Sequence, residues 1–389
     1  MPKDGEFKQS TTPAAIGALN FATVAVFSDL YIPQPVLPLL SKEFGVLPAT
    51  AGLTISVAVL MIALVSSLYG SLSDSVGRKP VMVASCLLLA LPTVACAFAP
   101  TFHALLLFRA LQGLLMPGVT AVAVAYIGDY YSGADLGPKV GGWIAASVAG
   151  GLTGRVLSGF LAAWFSWRAP FVFFGLLTLV GAAVIARGLP SRPAGESIRL
   201  ADAYRGMLGH FRNRRLVGSF LIGGSVFFAF IGVFTYLPYY LTAPPFHLST
   251  ALVSSVYLVY VAGVFTSLAI GRISRRVGGR AVMAAGFLIA VLGVLGTLPH
   301  FLPAIVLALV VLCVGMFTVQ STAPAFVNAN ARRAKGAAGS LYVTFYYVGA
   351  SLGSVLPGYA LQIWGWPGVA ATCIAALFVG LAADIWLCA

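Results

Sequence analysis

The chain has 389 residues, of which 60% are hydrophobic and 8% charged, with 23 Lys or Arg against 10 Asp or Glu. An ordinary soluble domain carries about 25% charged residues, so this chain lacks the polar surface to cover a globule in water, and lipid must be its solvent. The net charge of +13 could suggest nucleic acid, but the placement of the basic residues excludes that reading.

The first segment, Met1 to Ser10, is polar and carries Lys3 and Lys8. No short apolar core or small-residue cleavage site follows, so it does not read as a cleaved signal peptide. Apolar runs then predict spans near 14–38, 51–70, 81–99, 103–126, 139–163 and 169–187. Each approaches the roughly 20 residues that a helix needs to cross a bilayer. A polar stretch from Arg187 to Arg215 comes next, irregular around Pro190, Pro193 and Gly195. Within it, Leu200, Tyr204, Met207, Leu208 and Phe211 fall at helical spacing, predicting a short amphipathic helix over 198–211. Six further spans are predicted near 216–240, 250–271, 281–299, 303–327, 337–361 and 368–388.

The expected fold is an all-α membrane protein of twelve transmembrane helices in two pseudo-symmetric six-helix bundles. The N-terminal bundle covers 1–187, a central loop 188–215, and the C-terminal bundle 216–389. An internal repeat supports the duplication. Gly70-Ser71-Leu72-Ser73-Asp74-Ser75-Val76-Gly77-Arg78-Lys79 returns 201 residues later as Gly271 to Arg280, with Gly278 matching Gly77. Gly150, Gly154 and Gly159 return 199 residues later as Gly349, Gly353 and Gly358. Duplicated helical bundles of this kind usually carry solutes through a cavity between their halves.

With the N-terminus placed in the cytoplasm, 19 Lys or Arg fall in cytoplasmic segments, and only Lys42 and Arg168 fall outside. Basic residues retained on one side set orientation, so both termini are expected to be cytoplasmic in a plasma (inner) membrane. The basic charge then reports topology and anionic lipid rather than nucleic acid. The five cysteines all lie inside apolar runs without metal-ligand spacing, so neither metal nor cofactor is expected. No G-x-x-x-x-G-K-[ST] run occurs, which argues against ATP as energy source.

The motifs carry a resemblance. Gly70, Leu72, Ser73, Asp74, Gly77, Arg78 and Lys79 match G-x-L-[SA]-D-x-x-G-R-[RK] of the major facilitator superfamily. Arg109, Gln112 and Gly113 match the R-x-x-Q-G run in its fourth span, and the whole chain resembles the drug:proton antiporter branch. In that branch Tyr31, Gln34, Pro35 and Phe345-Tyr346-Tyr347 look like a sugar-efflux-like subgroup. The fifth-span antiporter motif is only partly present, since Arg155 stands where proline is expected and Ser158 where glycine is expected. The resemblance implies that Gly70, Asp74, Gly77, Arg78 and Asp129 form a cytoplasmic latch between the halves, with Asp74 capping span 11 and Arg78 facing Asp129.

Ionisable residues inside spans are costly and usually functional. Asp29, Arg109 and Arg155 fall at one depth, roughly 4–8 Å outward of the midplane at ~1.5 Å per residue. Asp29 is the candidate site for proton and substrate, or else one member of a static pair with Arg109. Arg155 either meets an anionic group of the substrate or bonds carbonyls at a helix break. Asn20, Gln34, Gln112 and Gln320, with Phe234, Tyr236 and Tyr346, are candidates for a cavity lined by spans 1, 4, 7 and 10, as in the family. The Gly-x-x-x-Gly runs are expected to give close helix packing.

The resulting reading is a monomeric, non-enzymatic transporter working by alternating access, a proton-coupled exporter of small amphipathic molecules. The alternative keeps the fold but takes up a small organic anion or sugar. A non-transporting membrane sensor is a third reading, disfavoured because no signalling domain is seen at either end.

Overall fold

A computed structural model describes residues 13–191, 209–331 and 335–388, and most of the amphipathic helix expected over 198–211 lies outside them. Proline sets where many helices begin, because its missing N–H costs nothing in the first turn. The first six rods are α1 (Pro13–Phe44), α2 (Pro48–Val76), α3 (Arg78–Ala97), α4 (Phe102–Tyr130), α5 (Leu136–Trp164) and α6 (Ala169–Gly188). The second six begin with α7 (Arg214–Thr242) and with α8, which runs from Thr250–Val256 through a 3-10 turn into Tyr260–Val277. They end with α9 (Gly279–Leu295), α10 (Leu302–Asn330), α11 (Lys335–Gly353) and α12 (Leu356–Trp386). Among the described residues, ten helices are long and apolar enough to cross a membrane, and α9 is a shorter apolar helix. Exposed leucines such as Leu64, Leu91, Leu268 and Leu307 coat the outside. Such an apolar exterior fits hydrocarbon, not water.

The eleventh and twelfth crossings do not divide at the ends of α11 and α12. Pro357 cannot donate to the carbonyl of Gly353, and the helix breaks at Ser354 and Val355 before resuming. The true reversal comes at Gly365, whose φ of 63° suits only a residue without Cβ. A Cβ on Gly368 would lie 2.4 Å from the Ala360 carbonyl oxygen. Eight residues along one straight helix span about 12 Å, so the chain must double back between them. α5 has no proline at the matching place and runs unbroken through Arg155.

The repeat is visible in the backbone. Gly77 and Gly278 both close a helix at positive φ, 103° and 96°, and each N–H donates to a serine carbonyl four residues back at 3.0 Å. Within each half, glycines let helices meet backbone to backbone. Cβ atoms on Gly150 and Gly154 would lie 2.6 and 2.4 Å from the carbonyl oxygens of Val24 and Ser28 in α1. Those on Gly349 and Gly353 would lie 2.0 and 2.3 Å from the carbonyls of Gly224 and Phe228 in α7.

Pro13 and Cys388 lie at one end of the bundle, here called the terminal end; the turns at 45–47, 98–101 and 165–168 mark the far end. The halves meet toward the far end. Ser41 and Tyr239 share a hydrogen bond of 2.5 Å, the Tyr239 hydroxyl lies 3.1 Å from the Leu37 carbonyl, and Ser56 bonds Ser351 at 2.7 Å. The Gln34 amide donates to the Thr235 hydroxyl at 3.0 Å. Positions 34 and 235 are 201 apart, the offset of the first repeat, so this bond joins equivalent places in the two halves. Among the described residues no hydrogen bond joins the halves at the terminal end.

The expected latch residues are brought together within one half. Arg78 pairs with Asp129 and, at 3.1 Å, with Asp74, so all three lie in the first half. Asp74 makes no described bond to α11, and Gly336 and Gly339 at the start of α11 face open space. The expected capping contact is not found among the described residues.

Candidate functional site

Between the halves lies a cavity of about 220 Å³. α1 gives it Phe27 and Tyr31; α5 gives Trp143, Ser147, Gly151 and Arg155; α7 gives Phe227 and Phe230. Tyr260 of α8, Phe317 and Gln320 of α10, and Tyr346 and Tyr347 of α11 complete the wall. The rings are packed among themselves. Phe227 stacks on Tyr346 at 3.7 Å, and Phe230 meets Tyr260 at 4.8 Å. Two of the charged or amide residues expected on the cavity, Arg155 and Gln320, line it, and Arg155 is the charged one among the described lining residues.

Arg155 is 2% exposed at the far-end floor of this space. Its Nε donates to the Gln34 side-chain oxygen at 2.5 Å, and its Nη1 to the Gly151 carbonyl at 2.7 Å. The guanidinium carbon lies 3.5 Å from the Tyr31 ring centroid and 4.8 Å from that of Tyr260. The cation is therefore gripped by tyrosines from both halves. Gln34 lies behind it, bridging Arg155 to Thr235.

Asp29, Arg109 and Gln112 share the expected depth but not the cavity. Their helices turn them into the interior of the first half, so α4 contributes no wall residue. Asp29 is fully buried, and its Oδ2 accepts from Thr178 at 2.8 Å and from Thr93 at 3.5 Å. The static Asp29–Arg109 ion pair that depth allowed is absent among the described residues. Arg109 instead donates to three main-chain carbonyls, of Thr54 (2.8 Å), Asp29 (3.0 Å) and Leu30 (2.7 Å), and to Gln112 (2.5 Å). Gln112 in turn donates to Thr93 at 2.7 Å. Proline explains one of the three: Pro33 has no N–H to offer Asp29, so an orphan acceptor is left inside the membrane for Arg109 to fill.

The remaining candidates divide. Tyr346 is on the wall, while Phe234 is fully buried behind it against Tyr260. Tyr236 donates to the Ser354 carbonyl at 2.6 Å, using the acceptor freed at the α11 break, and belongs to the contact between halves. Asn20 does not line the cavity; its amide nitrogen lies 3.8 Å from where a Cβ on Gly142 would be. Gly159 also joins the halves, against Ser254 of α8. Sequence reasoning missed Trp143, Tyr260 and Phe317. The Tyr257-x-x-Tyr260 spacing at the break in α8 was the available signal.

The chain matches the Major Facilitator Superfamily over residues 19–354 and again over 246–388. It is 34% identical over 368 residues to the inner membrane transport protein YnfM of Escherichia coli, covering 94% of this chain and 88% of that protein. Over 170 residues, 42% of this chain and 41% of the other, it is 33% identical to the multi-drug resistance efflux pump PmrA of Streptococcus pneumoniae. Among solved structures it resembles a bacterial homologue of the human lysosomal transporter Spinster in an inward-facing, unoccupied conformation. The TM-score is 0.79 at 16% identity, with 97% of this chain and 95% of that one covered.

Proposed function

The chain belongs to the major facilitator superfamily and is a multi-pass membrane transporter rather than an enzyme; from that premise we propose a proton-coupled exporter of small amphipathic molecules that works by alternating access. The observation that carries the proposal is the cavity between the halves, walled by aromatic rings and closed by hydrogen bonds toward the far end. Rings with a few polar groups suit a molecule that is part apolar and part polar. The chain as a whole resembles the antiporter branch, and the partial likeness to PmrA supports efflux. Asp29, the buried carboxylate at this depth of the first half, is the proton site of the proposal. The protein acts as a monomer without nucleic acid.

Positive charge supports the orientation, with both termini in the cytoplasm of the inner membrane. The terminal end then faces the cytoplasm, and the hydrogen bonds between the halves lie toward the outer side, so the proposed exporter loads from the cytoplasm. In the opposite state, Asp74 would reach the start of α11, where helix amides favour an anion. Purified protein in liposomes, given a pH gradient and a panel of amphipathic compounds, tests the coupling. Accumulation that collapses with the gradient is expected, and equilibration indifferent to pH would refute antiport.

Orientation is open to a separate test. All five native cysteines are buried, so a cysteine-free background should tolerate single labels. Lys42→Cys and Thr101→Cys should react with an impermeant maleimide from outside intact cells, while Ser132→Cys and Arg276→Cys should stay silent until the cells are opened. Labelling in the reverse order would overturn the topology.

A further inference from the structure

We propose that this cavity holds an organic anion, its acidic group on Arg155 and its apolar body among the rings of Phe227, Phe230 and Tyr346. The inference rests on the transporter reading of the same cavity and specifies its cargo.

Charge balance carries the argument. Arg155 is 2% exposed, yet no described Asp or Glu lies within ion-pair distance of it. The described salt bridges involve Asp74, Asp129 and Glu43, at the ends of the bundle. A buried charge is costly unless compensated. The Tyr31 and Tyr260 rings and two dipolar acceptors offset part of that cost and leave the full positive charge in place. A guanidinium has five N–H donors, and the Gln34 and Gly151 acceptors take two of them. Beside it the Tyr260 hydroxyl, on a residue 3% exposed, has no hydrogen-bond partner among the described residues. One uncancelled cation thus borders an apolar space of about 220 Å³, with the unpartnered Tyr260 hydroxyl buried in its wall.

Arg109 shows what a purely structural arginine looks like in the same half. It meets four acceptors, is not among the residues that line this cavity, and reaches the Asp29 carbonyl that Pro33 leaves without a donor. Arg155 sits in an unbroken helix, and one of its two acceptors is the carbonyl one turn back in that helix. The helix-break role considered for Arg155 therefore has no break to serve. A carboxylate would offer acceptors to the guanidinium and to the Tyr260 hydroxyl, and the planar fork of the guanidinium matches its geometry.

The test uses three compounds of one shape and three charges: 1-naphthoate, 1-naphthamide and 1-naphthylmethylammonium. Each is titrated into wild-type protein in nanodiscs and followed by tryptophan fluorescence, because Trp143 lines the cavity. Naphthoate is expected to bind about tenfold or more tighter than the amide, as hydrogen bonds to charged groups warrant, with the ammonium weakest. Arg155→Gln should reduce that preference to about twofold, while Arg155→Lys, which keeps the charge but not the fork, retains part of it. Should Arg155→Gln not fold, the Arg155→Lys and Tyr260→Phe proteins, each weaker for naphthoate with the amide unchanged, carry the test. The proposal is overturned if the amide or the ammonium binds as tightly as naphthoate, if millimolar naphthoate does not bind, or if Arg155→Gln keeps the preference. Liposome transport of the same compounds separates the two readings. Movement of the ammonium but not naphthoate keeps the transporter and overturns the anion site. Binding of naphthoate at Arg155 with no transport keeps the site and overturns the transporter mechanism.

Discussion

Arg109→Met protein is expected to lose several kcal/mol of stability and to be recovered in poor yield. Methionine fills the volume, but it leaves the Asp29 carbonyl, which Pro33 cannot serve, without a donor and removes the hydrogen bonds of 2.7–2.8 Å that tie Leu30 and Thr54 together. Each buried unsatisfied acceptor costs about 1–3 kcal/mol, and inside a bilayer no water replaces the donor. Lysine should rescue little, since one ammonium cannot span carbonyls on two helices as the guanidinium does. Thermal unfolding followed by gel filtration reads the effect directly. A midpoint unchanged from wild type would mean that Arg109 does not hold α1 to α2 and α4.

Asp29→Asn carries the largest functional effect under the proposed coupling. The side-chain oxygen of asparagine can still accept from Thr178 and Thr93, so the fold should survive. The titrating group is gone, and pH-gradient-driven accumulation in liposomes should fall to background. Because Asp29 lies outside the cavity wall, substrate affinity should stay within about twofold, a change of about 0.4 kcal/mol. Exchange of labelled for unlabelled substrate should also persist. Wild-type accumulation by Asp29→Asn protein would remove Asp29 from the coupling, leaving Asp384, 2% exposed near the end of α12, as the next carboxylate to examine.

The spans, the duplication and the asymmetry of charge were legible because hydropathy and repeat offset are properties of the chain in one dimension. Depth was legible for the same reason: counting residues put Asp29, Arg109 and Arg155 at one level. The direction each faces was not. That depends on rotation about the helix axis, and helices buried on most sides show little periodicity to fix it. So the expected Asp29–Arg109 contact became a carbonyl clamp, and only Arg155 of the three reached the cavity. The clamp has a partial sequence signature in Pro33 and Pro35 after Asp29, but not the identity of its donor. The hairpin at Gly365 was placed correctly by the gap between spans 11 and 12, whereas the break at Ser354 was signalled only by Pro357.

The contact between the halves has almost no side chains at its tightest points. A Cβ on Gly52 would lie 1.9 Å from the Ser354 carbonyl oxygen, one on Gly358 would lie 2.6 Å from the Ala49 Cα, and one on Gly159 would lie 1.5 Å from the Ser254 hydroxyl. Most helix interfaces interlock, and parting them means lifting knobs from holes and reordering rotamers. Here two shallow surfaces face each other, with the small Ser254 side chain seated at Gly159 and a few hydrogen bonds acting as pins. They can separate as rigid bodies, without a repacking step, once those few hydrogen bonds exchange partners. Friction is thereby kept out of the moving joint and confined to the interiors of the halves, where Gly150, Gly154, Gly349 and Gly353 clamp helices that have no need to slide.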